Sequence, residues 1–87
     1  MQQIIIIQNK AGLHARPAAV FVQTASKFKS AISLEIEGRK VDAKSIMGVM
    51  SLGAGQGRQL VLKAEGEDAE EALKTLAELI NSKFGEE

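Results

Sequence analysis

Histidine occurs once in this chain, at His14, inside the run Gly12-Leu13-His14-Ala15-Arg16-Pro17. Pro17 suits the first turn of a helix, because its fixed φ and missing N–H cost nothing there. A helix is therefore expected to begin near Arg16. The backbone N–H groups of such a first turn have no helical carbonyl to donate to, and the helix dipole adds about half a positive charge. Together they make an anion site beside the imidazole. Arg16 adds a permanent cation whose donors match phosphate oxygens. An imidazole is substantially neutral at cell pH and attacks phosphorus through one nitrogen without a dedicated base. His14 thus qualifies as a nucleophile that could form a phosphohistidine, with Arg16 suited to the phosphate oxygens and Ala15, Arg16, Pro17 and Ala18 as the surrounding loop and helix N-terminus.

From the residues alone, a lone His before a helix can also cap it or stand idle, and that alternative stays open at this point. A metal site is disfavoured, since the chain holds one His and no Cys, too few of the preferred ligands. General acid–base work lacks a convergent carboxylate in this segment. No cofactor is implied.

A second segment, Lys44-Ser45-Ile46-Met47-Gly48, places Ser45 where its hydroxyl caps a short helix running to about Met50. Ile46, Met47, Met50 and Leu52 are more apolar than a solvated helix requires, which fits either core or a surface for several partners. Gly53, Gly55 and Gly57 follow without a phosphate-loop pattern and read as turns.

The elements that must position these residues follow from periodicity. Residues 4–7 are β-branched and continuous, which predicts a central strand delivering the loop Asn9-Lys10-Ala11-Gly12. Ala18, Phe21, Val22, Ala25 and Phe28 form one apolar stripe on a helix to about Lys27. Ile32, Leu34 and Ile36 alternate with polar residues as a half-solvated strand. Gly38-Arg39 turns into a short strand at 40–43, and Leu60, Leu62 and Ala64 mark the last strand. Asp68 with Glu71 predicts a capping box. A final helix then carries Ala69, Ala72, Leu73, Leu76, Ala77, Ile80 and Phe84 inward. The order β-α-β-β-α-β-α predicts an α+β fold, an open-faced β-sandwich with a four-stranded antiparallel sheet and three helices on one face.

Composition supports one domain over residues 1–87. Apolar residues make up 45% and charged residues 25%, a globular balance. Lys plus Arg equals Asp plus Glu at 11 each, so no net field gathers nucleic acid or an anionic membrane. The apolar run at 4–7 falls far short of the roughly 20 residues of a membrane helix. Without Cys, a reducing compartment is allowed. A cytoplasmic protein with no membrane insertion and no direct nucleic-acid binding is expected.

The run Gly12-Leu13-His14-Ala15-Arg16-Pro17-Ala18-Ala19 resembles the histidine signature of the HPr family of phosphocarriers. The stretch from Lys44-Ser45-Ile46-Met47-Gly48 through Val49-Met50-Ser51-Leu52-Gly53 resembles its serine-centred signature. The resemblance covers essentially the whole chain. It implies that His14 accepts phosphate from phosphorylated enzyme I and donates it to sugar-permease A domains. It also implies the Gram-positive type, in which HPr kinase/phosphorylase modifies Ser45 in carbon catabolite control. On the same resemblance, Phe21, Ile46, Met47, Met50 and Leu52 form a face shared with these partners and with a catabolite-control transcription factor. An alternative within the family is a purely regulatory module, a catabolite co-repressor acting through phospho-Ser45, in which the histidine is replaced; His14 argues against it. Ala11 and Ala19 depart from the family pattern, where polar side chains often stand near the histidine loop.

Overall fold

The computed structural model describes residues 1–85. Four strands, β1 (Gln2–Ile6), β2 (Ala31–Ile36), β3 (Arg39–Asp42) and β4 (Gln59–Glu65), alternate with helices α1 (Ala15–Ala25), α2 (Ile46–Ser51) and α3 (Ala69–Asn81). The sheet order is β1-β4-β2-β3, and every pairing is antiparallel. The expected element order and the open-faced α+β sandwich are both present.

Alternation decides what each strand buries. Ile32, Leu34 and Ile36 of β2 and Leu60, Leu62 and Ala64 of β4 point into a core shared with Ala18, Phe21 and Ala25 of α1 and Ala72, Leu76 and Ile80 of α3. The opposite face of the sheet stays open, as its polar alternates require. The β2–β3 turn has Ile36 opposite Arg39 with only Glu37 and Gly38 between. Both turn residues have positive φ, 50° and 84°, the mirror-image turn that matches strand twist.

The expectations need correction on three points: the placement of a strand, the ends of two helices and a cap. First, β1 is an edge strand paired with β4 alone, not a central one. Ile5 and Ile7 enter the core, but Ile4 and Ile6 lie on the open face, 60% and 45% exposed. Their β-branching suits a strand whatever it faces, so a continuous apolar run does not count its neighbours. Second, the last helix stops at Asn81. Lys83 and Phe84 adopt left-handed φ of 61° and 56°, and this reversal folds Phe84 back into the core. The first helix likewise ends early, at Ala25, where Lys27 and Phe28 donate three residues back to Thr24 and Ala25, a tightened last turn.

Third, Asp68 does not cap its helix through its side chain. Its carboxylate instead accepts from the backbone N–H groups of Lys29 at 2.8 Å and Ser30 at 2.9 Å, and from the Ser30 hydroxyl. This clasp ties the entry of β2 to the start of α3. The Ser30 hydroxyl first, then the Lys29 amide, hold the Asp68 carboxyl below its ordinary value of 3.8, with desolvation opposing them and the Ser30 amide adding less. A carboxyl depressed in the folded state contributes stability above its unfolded value and loses it as pH falls through the folded one. The thermal midpoint of the wild type should therefore fall more steeply than that of Asp68→Asn below pH 3.8, as read by circular dichroism melts across an acid series. Parallel curves would refute the clasp.

Candidate functional site

The site begins where β1 ends. Asn9 is 1% exposed, and its side-chain Nδ2 donates to the Gly12 carbonyl at 2.9 Å while Gly12 N–H donates to the Asn9 carbonyl at 3.2 Å. Gly12 has φ of +70°, and a Cβ on it would stand 2.3 Å from the Ala54 carbonyl oxygen and 2.7 Å from Gly55 Cα. Only glycine permits this approach. Leu13 N–H then donates to the Ala54 carbonyl at 2.8 Å, and the Leu13 side chain is buried. The loop bearing His14 thus rests on the glycine-rich segment 53–57, which is held in turn by Gly57 N–H on the Ile7 carbonyl and Gln56 Nε2 on the Gln8 carbonyl.

His14 itself is the N-cap residue of α1, in extended backbone conformation, exposed, and its side chain does not cap the helix. Capping is thereby removed as its role. Ala15 and Arg16 are exposed beside it, and their amides belong to the first turn, where no helical carbonyl precedes them. No acidic residue occupies that turn, so the positive end of the dipole is not neutralised locally. Pro17 and Ala18 drop out of the expected phosphate-binding set. Pro17 has no N–H and is buried, whereas Ala18 is 0% exposed and its N–H already donates to the His14 carbonyl at 2.9 Å. What remains for an anion is two amides, the Arg16 guanidinium and an adjacent imidazole.

Ser45 caps α2 as expected, its hydroxyl accepting from Gly48 N–H at 3.1 Å. Lys44 is held just before it, with its backbone N–H on the Asp42 carboxylate and its ammonium on the Phe28 carbonyl. Val49 anchors α2 in the core, while Met47 is 76% exposed and Ile46 and Met50 lie near 40% at 39% and 40%. These three form an outward apolar patch on a helix that packs against α1. Leu52 is half-buried against the core. Phe21 does not belong to the patch, for its ring is fully enclosed. Burial of such a side chain stabilises the fold by about 2 kcal/mol, which is reason enough for it to be there.

Two contributors escaped the sequence reading. Asn9 looked like an ordinary turn residue, and only its burial reveals that it holds the loop. Ala54 acts through its carbonyl, which leaves no signature in side-chain type.

The family described as "PTS HPr component phosphorylation site" matches residues 1–82. The chain is 47% identical to the phosphocarrier protein HPr of Xylella fastidiosa over 87 residues, all of this chain and 98% of that protein. It is 53% identical to the HPr-like protein Crh of Bacillus subtilis over 77 residues, 88% of this chain and 91% of that one. Among solved structures, HPr-C-His from Thermoanaerobacter tengcongensis superposes with a TM-score of 0.97 at 63% identity, covering 100% of this chain and 98% of that one. Among the described residues no helix is long and apolar enough to cross a membrane.

Proposed function

The chain belongs to the PTS HPr family of phosphocarriers, and from that membership we propose that it accepts a phosphoryl group on His14 from phosphorylated enzyme I and passes it to sugar-permease A domains. The observation that supports this most is an exposed His14 at the N-terminus of α1 with Arg16 and the first-turn amides of Ala15 and Arg16 beside it. In loading, an imidazole nitrogen attacks phosphorus, the bond between phosphorus and the donor breaks, and the donor keeps the electron pair. Arg16 and the amides of Ala15 and Arg16 hold the phosphoryl oxygens through this exchange and after it. Unloading reverses the step towards the acceptor. The protein is a cytoplasmic carrier, regenerated in each cycle, and turns over nothing without its two partners.

Ser45 is the regulatory site in the same proposal, modified by HPr kinase/phosphorylase in carbon catabolite control. A phosphate there adds about 1.5 to 2 negative charges on a helix packed against α1, and repels an incoming phosphodonor. The Ile46, Met47 and Met50 patch serves enzyme I, permease domains and a catabolite-control transcription factor in turn, and the chain reaches no nucleic acid directly. Similarity to the HPr-like protein Crh favours a second reading, a regulatory module acting through phospho-Ser45 alone.

One assay separates the two. The protein is loaded by enzyme I with labelled phosphoenolpyruvate and then chased with a permease A domain. Label should enter and leave, and the phosphoserine form should load about tenfold more slowly at low ionic strength. Absence of loading with active enzyme I would replace the carrier by the regulatory module. Equal rates for the two forms would remove Ser45 from control of transfer.

A further inference from the structure

The carbonyl of Gly12 stands two residues before His14, and its orientation is set from inside the protein. Asn9 Nδ2 donates to it at 2.9 Å from a side chain that is 1% exposed. The reciprocal bond from Gly12 N–H to the Asn9 carbonyl, at 3.2 Å, closes the turn. On its far side the turn abuts the Ala54 carbonyl, which accepts from Leu13 N–H at 2.8 Å. Residues 9–13 are thus clasped from both sides, and His14 follows directly.

We infer that Asn9 is a positioning residue for phosphoryl transfer: its buried amide fixes the backbone that aims the His14 imidazole at the site beside the Ala15 and Arg16 amides. The inference rests on the carrier function proposed above. Ala11 is exposed at the loop surface and has no polar atom in its side chain, so the clasp is made from the interior by Asn9. The nucleophile and its anion site come from opposite sides of the loop-to-helix junction, the imidazole from the cap position and the amides from the first turn. A rotation of the Gly12–Leu13 peptide moves one against the other. Misplacement of reacting groups by about 1 Å costs on the order of a hundredfold in rate. Asn9 lies beneath the loop and offers nothing to a docking partner, so its loss should leave recognition of enzyme I intact.

The test compares loading kinetics of the wild type, Asn9→Ala and Asn9→Asp with those of Ile80→Val, a core truncation in α3 that controls for lost stability. Asn9→Asp keeps the volume but presents a carboxylate to the Gly12 carbonyl, and gives the same readout should Asn9→Ala fail to fold. The expected result is a kcat lowered about tenfold or more in both Asn9 variants, with KM for enzyme I within about twofold of wild type. Ile80→Val should keep its kcat at a comparable fall in thermal midpoint. Unchanged kcat in the Asn9 variants, or a loss matched by Ile80→Val, would overturn the role of Asn9 while leaving the carrier function standing. Failure of the wild type itself to load would overturn both.

Discussion

His14→Ala should take up no label from phosphorylated enzyme I, while keeping its fold and its affinity for that partner. The imidazole is exposed and its side chain does not cap α1, so truncation removes no packed volume and no cap. The stability change should stay within about 0.5 kcal/mol, as for surface substitutions generally. The α2 patch of Ile46, Met47 and Met50 is untouched, and the variant should still compete with the wild type for enzyme I. Loss of label with retained competition separates a phosphoryl acceptor from a structural histidine. Residual labelling at the wild-type rate would move the acceptor elsewhere.

Gly12→Ala should be the most damaging substitution outside His14 and Arg16. A methyl group there would overlap the Ala54 carbonyl oxygen at 2.3 Å, and φ of +70° adds the strain that any L side chain meets in the left-handed region. Both contacts are with backbone, so relief requires the histidine loop to lift from segment 53–57 and the Leu13–Ala54 hydrogen bond to stretch. Loading should slow about a hundredfold, and stability should fall by about 1–3 kcal/mol. Quenched-flow labelling and urea titration measure the two effects. Gly55→Ala is the natural comparison, since nothing lies within 4 Å of its added Cβ, and it should behave like the wild type in the urea titration. Equal urea midpoints for Gly12→Ala and Gly55→Ala would show that the loop does not rest on Ala54 as tightly as these distances require.

Much of the molecule is legible in its sequence because local rules and the fold agree. The period-two runs of β2 and β4, the stripes of α1 and α3, Pro17 at a helix start and Ser45 at a cap each specify their element without knowledge of the rest. The position of His14 beside Arg16 at the start of α1 follows from the run Gly12 to Pro17. What could not be read depends on distant partners. Asp68 serves Lys29 and Ser30, which stand 39 and 38 residues before it, so a capping-box pattern at its own helix was misleading. Phe21 fits the stripe of α1 whether it reaches the surface or the centre, and depth in the core is not a property of spacing. Ala18 resembles a phosphate-binding amide until its N–H is found on the His14 carbonyl. Asn9 differs from a common turn asparagine only in being buried.

The central claim is a phosphorus–nitrogen bond on His14, and phosphorus NMR of the loaded protein with nitrogen-15 imidazole tests it most directly. The expected spectrum has one protein-bound resonance coupled to a ring nitrogen of His14, lost on mild acidification and absent from His14→Ala. An acid-stable resonance without nitrogen coupling, as a phosphate ester on Ser45 would give, would contradict the phosphohistidine and leave regulation as the protein's function.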